Sequence, residues 1–423
     1  MVELSRQALI ALAIECGADD AGAISIDREE MAGDRPHILS AFARARSVIS
    51  FVVRMNVESV RTPWRSIANR EFHTKIDHAD IVAAAIVHKL GDMGVAALNP
   101  SSAFPMEMDQ FPGGRLWAVS HKTAAVAAGL GQIGVHRNVI HPRFGNFILL
   151  GSVILEAELA EQSVPIDFNP CFECKLCVAA CPVGAIKSDG AFDFSACYTH
   201  NYREFMGGFA EWTERIADSG SAVALRGKVS DSEQASMWQS LAYGPNYKAA
   251  YCMAVCPAGE NLIERYQLDK KQYLKDVVDP LQAKVEPLYV VPGSDAEAYA
   301  ARRFPHKPLR KVGSGLRPRN VPNFLRSLRL VFQRDQAKGF DCTYHFTFTG
   351  SECHEATIVI RNRKLTVEDG HHGKPTLRVR VDARAWFAFI YKERGLLSML
   401  VGGKLRIRGN PRYLLAFGKC FPT

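Results

Sequence analysis

Seven of the eleven cysteines fall between Cys171 and Cys256, and their spacing is the first chemistry legible in the chain. Cys171, Cys174, Cys177 and Cys181 form a C-x2-C-x2-C-x3-C run closed by Pro182. Three thiolates on one tight loop reach three irons of one cubane cluster, and the fourth cysteine, entering a helix, points to a different cluster. A partial second run, Cys252-x3-Cys256-Pro257, lies downstream. By pseudo-symmetry Cys256 completes the first cluster with Cys171, Cys174 and Cys177, and Cys181 joins Cys197 and Cys252 at a second. A complete second run needs a cysteine at 249, where the chain has Ala249. The second centre therefore has three evident thiolates and several open forms. It is a three-iron [3Fe-4S] cluster, or a [4Fe-4S] cluster with an oxygen, nitrogen or water ligand, or one completed by a side chain such as His200 or Tyr251, or it is absent. Zinc would need four ligands with a separated second pair, so the spacing favours iron and sulfide.

A reductase acting on an organic substrate also needs a proton donor beside its electron source. Asp109, Arg115, His121, Lys122, His136 and Arg137 flank Gly129-Leu130-Gly131-Gln132-Ile133-Gly134. His121 and Arg115 are the first candidates, with Asp109 as the nearest acid. The glycine spacing resembles a phosphate loop, but it follows an Ala-rich, helical stretch and no clear strand, so a tight, closely packed turn is the plainer reading.

The elements that must position these groups fall into four parts. Residues 1–165 read as α/β: Arg46–Val53 is a buried strand, Ile76–Met93 has helical periodicity, and Val95–Leu98 follows a turn. Residues 166–265 carry the cysteines. Residues 266–322 read as a basic, Pro-rich connector. Residues 323–423 read as α+β, with strands around Tyr344–Phe348, Leu377–Val381 and Lys404–Arg408, a turn at Asp369-Gly370, a helix over Ala383–Glu393, and a last helix opened by Asn410-Pro411. Charge is uneven: residues 301–423 hold 25 Lys and Arg against 8 Asp and Glu, and the remainder 27 against 36. The opening residues lack the features of a signal peptide, and the densest apolar stretch, Phe147–Leu155, is too short to span a bilayer. Clustered cysteines in such a chain read as metal ligands, and the expected setting is cytoplasmic.

Residues 1–265 resemble the epoxyqueuosine reductase and reductive dehalogenase superfamily. The resemblance rests on Gly17-Ala18-Asp19-Asp20-Ala21-Gly22, Ala45-Arg46-Ser47-Val48-Ile49, Ala127-Ala128-Gly129-Leu130-Gly131-x-Ile133-Gly134, and the double cysteine run with Cys197 between its halves. It implies a flavin-reductase-like α/β domain with an inserted two-cluster, ferredoxin-like domain. It also implies a cobalamin-type corrinoid whose pocket involves Gly129, Gly131, Gly134 and His136, reduced by the clusters. The chain departs from the epoxyqueuosine reductases at Arg115, where they carry an acid, and at Ala249.

Residues 323–423 resemble a sterol carrier protein domain through Gly373-Lys374-Pro375-Thr376 and its strand, Leu396–Gly402, and Gly403-Lys404-Leu405-Arg406-Ile407-Arg408-Gly409-Asn410. Such domains fold around an apolar tunnel, and Trp386, Phe387, Phe389, Ile390 and Tyr391 crowd one helix, as either ligand-facing or ordinary core residues. The combined expectation is an iron–sulfur oxidoreductase, a corrinoid-dependent reductase of a small hydrophobic or lipid-like substrate, served by an external donor of ferredoxin or flavodoxin type. The alternatives are an electron-transfer protein serving a partner enzyme, and a lipid carrier or sensor containing clusters. Nucleic acid is not expected as a partner, because the basic stretch Arg302–Arg319 lacks aromatic residues interleaved for base stacking.

Overall fold

The computed structural model describes residues 3–107, 117–171 and 173–422. The chain divides into two compact units, residues 1–180 with 250–284, and residues 181–249 with 285–423.

The first unit is built on a mixed-length antiparallel sheet. In chain order its elements include α1 (Arg6–Glu15), β1 (Asp20–Ser25), β2 (Ser47–Arg54), α2 (Arg65–Asp92), β3 (Ala97–Leu98), α3 (His121–Ala127), β4 (Ile148–Leu155) and α4 (Leu176–Ala180). The strand order is β1-β2-β4-β3, with every neighbouring pair antiparallel. Both faces are covered. Ile49, Phe51 and Val53 pack with Leu9 and Ala13 of α1 and with Val82, Ala83 and Ile86 of α2. Val48 and Val52 pack on the other face with Ala124, Ala125 and Ala127 of α3. A strand buried on both sides has no reason to alternate apolar with polar residues, which is why its sequence reads as a mostly apolar run rich in β-branched residues. The cross-strand contact between Gly151 and Phe51 requires glycine: a Cβ at 151 would lie 2.1 Å from the Phe51 ring. Helix α2 begins eleven residues before the expected Ile76, because Ala68, Asn69 and Phe72 extend its buried stripe.

The second unit contains the helix Phe194–Asn201, a parallel strand pair of Leu288–Val290 with Leu309–Lys311, and a C-terminal α+β layer pair. That layer pair holds α5 (Val321–Val331), β5 (Cys342–Thr349), β6 (His354–Arg361), β7 (Lys364–Asp369), β8 (Leu377–Asp382), α6 (Ala383–Ile390), α7 (Leu396–Val401), β9 (Leu405–Arg408) and α8 (Arg412–Cys420). Its sheet runs β7-β6-β5-β8-β9, with β5 and β8 parallel and the other pairs antiparallel. Tyr344, Phe346, Phe348, Val379 and Val381 face the helices, and the residues between them are mostly polar, the alternation of a sheet with one covered face. The 266–322 stretch is helix and strand over much of its length, including Asp295–Arg303, whose Ser294 cap accepts from Glu297 N–H.

Candidate iron–sulfur site

In the first unit the loop 171–175 and the segment 250–258 bring thiols together. Glu173 and Lys175 sit at φ 56° and 51°, a left-handed backbone that turns N–H groups inward before α4 begins. The N–H groups of Lys175 and Leu176 donate to the Cys174 sulfur, that of Val178 to Cys177 and that of Ala258 to Cys256. The Val135 N–H lies 3.4 Å from Cys171 Sγ. Such bonds favour thiolate, the form that binds iron, and tune a cluster's potential.

Cys171, Cys174 and Cys177 all act electrostatically on Cys256, and Cys171 packs in the small apolar cluster of Ile140, Cys256 and Ala258. Burial pushes the Cys177 thiol up to about 12, with Cys252, Cys174 and Cys171 adding in the same direction. Burial also pushes Cys256 upward, and the same neighbouring thiols add to it. Burial and the neighbouring thiols hold Cys174, Cys177 and Cys256 against ionisation; a cationic iron–sulfide core would reverse the sign, and binding it would release their protons. Among the described residues no three His, Cys, Asp or Glu close tightly enough around a point to hold a single metal ion.

The turn after Cys256 is clamped by the loop 141–147. Gly145 has φ +64°, and a Cβ there would stand 2.0 Å from the Ala258 carbonyl oxygen. Glu260 N–H donates to Pro142 O at 2.9 Å.

Cys181 and Cys197 belong to the second unit, whereas Cys252 belongs to the first. Cys181 and Cys197 share one apolar cluster with Leu288, Val290 and Phe304. The Cys181 sulfur accepts from Ala185 N–H at 3.2 Å, and Val183, Gly184 and Ile186 also direct N–H groups at it. Gly184, at φ +61°, lets this turn press against the Tyr299 ring, which a Cβ would approach to 2.6 Å. Ala249 contributes its N–H to Asn201 Oδ1 at 3.0 Å and offers no ligand atom in its side chain. His200 is buried in the second unit, its Nδ1 accepting from Tyr289 N–H, and Tyr251 is buried in the first beneath the Arg65 guanidinium.

Asp109 and Arg115 lie outside the described residues. His121 opens α3 behind its Ser120 cap, with Nε2 2.9 Å from Ser101 O and Nδ1 2.9 Å from Ser152 Oγ. A carbonyl only accepts, so Nε2 carries the proton and Nδ1 accepts from the serine. Burial lowers this imidazole's pKa and keeps it neutral. His136 is also buried; burial first, and then Lys122, lower its pKa to about 4. Its Nδ1 accepts from Asn138 N–H, which leaves the ring proton on Nε2, 2.9 Å from the Asn146 amide. The Asn146 Oδ1, otherwise buried without a partner, pairs that proton when the amide turns its oxygen to the ring. The glycine run is a packing device: a Cβ at Gly129 would sit 2.3 Å from Val164 O, and one at Gly131 2.3 Å from Ile140 O. No phosphate loop is formed there.

Sequence reasoning missed Arg61, Gly145 and Tyr273. A buried arginine among mixed polar and apolar neighbours carries no distinguishing pattern in one sequence, and Gly145 shows its purpose only once Ala258 is folded against it.

The 4Fe-4S binding domain family matches residues 164–187, the segment that carries Cys171, Cys174, Cys177 and Cys181. The SCP-2 sterol transfer family matches residues 328–422. Among curated proteins, the epoxyqueuosine reductase of Synechococcus sp. (strain CC9605) is 36% identical over 76 residues, covering 18% of this chain and 23% of its own length. That of Staphylococcus aureus (strain NCTC 8325 / PS 47) is 25% identical over 165 residues, covering 36% of this chain and 39% of its own. The chain thus spans well under half of the curated relatives it matches. Among solved structures, epoxyqueuosine reductase from Streptococcus thermophilus aligns at TM-score 0.34 and 14% identity, over 64% of this chain and 74% of that one. A second epoxyqueuosine reductase structure, determined with a tRNA-TYR epoxyqueuosine-modified tRNA stem loop, aligns at TM-score 0.32 and 14% identity over 76% and 84%. The chain joins an epoxyqueuosine reductase-like iron–sulfur segment to an SCP-2-type domain.

These relatives correct the expectation about partners, which named a hydrophobic small molecule or lipid and set nucleic acid aside. Proteins of the matching type are named for epoxyqueuosine, and one was solved on a tRNA stem loop. The flaw lay in the criterion: interleaved aromatic residues report stacking on unpaired bases, whereas folded RNA is also held through phosphates and shape. In the SCP-2-type domain, of the residues that the sequence left open between ligand-facing and core, Trp386 and Phe387 are buried in the core, where Trp386 meets Phe324 and Phe346 edge-on, and Phe389, Ile390 and Tyr391 are partly buried against it. A cavity of about 520 Å³ opens elsewhere, beside Phe348, His354 and Asp369. No helix among the described residues is long and apolar enough to cross a membrane.

Proposed function

We propose that this chain is a cytoplasmic iron–sulfur reductase. A cluster on Cys171, Cys174, Cys177 and Cys256 delivers electrons to an electrophilic group carried on RNA. The single observation that carries the redox part is the convergence of those thiols, each with a backbone N–H aimed at its sulfur. The substrate class rests on the epoxyqueuosine reductases matched above and on the basic excess of residues 301–423. A second centre rests on the cysteine spacing alone. The corrinoid stays outside this proposal: the glycine run that the resemblance assigns to it is filled by the carbonyls of Val164 and Ile140, and no step is drawn through it.

One observation favours a second reading, an electron carrier for a partner enzyme. Both ring nitrogens of His121 are engaged and its pKa is lowered, which makes it a poor proton donor.

Anaerobic protein reconstituted with iron and sulfide, then mixed with unmodified and epoxyqueuosine-bearing RNA stem loops under a low-potential reductant, separates the two. Turnover or salt-sensitive retention of the RNA supports the reductase. Reversible cluster reduction with neither turnover nor retention supports the carrier.

A further inference from the structure

The first unit buries a cation whose one carboxylate partner among the described residues is distant and solvent-exposed. The Arg61 side chain is 7% exposed, and its closest carboxylate, Glu58, is 3.9 Å away and itself 75% exposed. Nε donates to Ala254 O at 3.4 Å and Nη2 to the Tyr273 hydroxyl at 3.0 Å. The guanidinium lies over the Phe147 ring at 5.3 Å and the Tyr273 ring at 5.4 Å. Burying a charge is costly unless an opposite charge or a full set of hydrogen bonds compensates for it. Two neutral acceptors, two ring faces and one solvated carboxylate are poor compensation.

The position of the cation suggests what completes it. Ala254 ends the helix Tyr251–Ala254, two residues before Cys256. The Tyr273 hydroxyl, which accepts from Arg61, donates in turn to Val255 O at 3.2 Å, the residue adjoining Cys256. Tyr273 lies in the field of Arg61 on one side and of Cys256 and Cys174 on the other. Arg61 is thus fastened to the turn that presents Cys256 by one bond directly and by a second through Tyr273. A [4Fe-4S] core with four thiolates is a dianion when oxidised and gains one further negative charge when a single electron reduces it.

Resting on the iron–sulfur reading above, we infer that Arg61 is a positioning residue for the first cluster: it supplies the buried countercharge that raises the cluster's midpoint potential, and with Tyr273 it fixes the turn bearing Cys256. The cation is stabilised more by the reduced cluster than by the oxidised one, so it favours the added electron. Glu58 opposes it weakly from the solvent side.

The test is a spectroelectrochemical titration of the anaerobically prepared full chain, with dithionite as reductant and electron paramagnetic resonance as the second readout. Arg61→Met, which keeps the length and loses the charge, shifts the midpoint to lower potential. Arg61→Lys, which keeps the charge, stays near the parent. Glu58→Gln, at an exposed position, shifts the midpoint the other way by a smaller amount. Arg61→Met and Glu58→Gln both titrating with the parent, at full iron content, would overturn the inference and leave Arg61 a packing residue. If Arg61→Met loses its iron during preparation, Glu58→Gln alone decides by the same criterion. A parent protein without iron–sulfur absorption overturns the proposed function and this inference with it, whereas a reducible parent with unmoved variants overturns only the inference.

Discussion

Replacing Gly145 by alanine presses on the segment that presents Cys256 without touching any thiol. Two costs follow from the structure. At φ +64° an alanine pays about 1–2 kcal/mol for left-handed backbone. Its Cβ would also lie 2.0 Å from Ala258 O, a main-chain atom that cannot rotate aside, and such overpacking costs roughly 1–3 kcal/mol. Gly94 supplies the control: it has φ +75° in the same unit and nothing within 4 Å of a Cβ, so Gly94→Ala pays only the first cost. The expected penalties are about 2–5 kcal/mol for Gly145→Ala and about 1–2 kcal/mol for Gly94→Ala. At about 2–4 °C per kcal/mol, Gly145→Ala lowers the melting temperature by about 4–20 °C, beyond the control. Differential scanning calorimetry reads the stability, and iron release to a chelator reads the site. Faster iron release is expected from Gly145→Ala alone. Equal melting temperatures and equal release rates in the two variants would refute the clamp between Gly145 and Ala258.

Three further outcomes are expected. Trp386→Ala empties a site bounded by Phe324 and Phe346 and destabilises the C-terminal domain by about 3–5 kcal/mol, measurable by urea denaturation. His136 is held neutral, with its pKa lowered from 6.5 to about 4, so its contribution to stability is full above pH 6.5 and is lost as pH falls toward 4. The slope amounts to about 3 kcal/mol over that window, and His136→Gln should flatten it in pH-dependent melting curves, while an unchanged slope would place the acid sensitivity elsewhere. Cys181→Ala removes a sulfur that the N–H groups of residues 183–186 surround, and should lower the iron content while leaving the first cluster's paramagnetic signal intact.

The cysteine run was legible because its chemistry is local: four positions and one proline state which thiols share a loop. The strand Ser47–Arg54 was legible within one residue because its burial on both faces leaves a mostly apolar, β-branched run. What escaped depends on partners distant in sequence. Parallel pairing of β5 with β8 leaves no mark in either strand's own pattern. The two-residue turn Asn362-Arg363 joins β6 to β7 with φ 50° and 60°, a type I′ geometry normally flagged by glycine at its second position, where this chain has arginine. The aromatic residues of α6 looked equally suited to a ligand or a core, and only the contacts of Trp386 with Phe324 and Phe346 decide for the core.

Everything said of function depends on four thiols of the first unit holding a cubane. Metal and sulfide analysis of protein made and purified without oxygen, read together with the electron paramagnetic resonance of its reduced form, tests this most directly. The expected result is four or more irons per chain with matching sulfide and a reduced-cluster signal that Cys177→Ser abolishes or alters. Iron-free protein, or one stoichiometric zinc in place of iron, would contradict it.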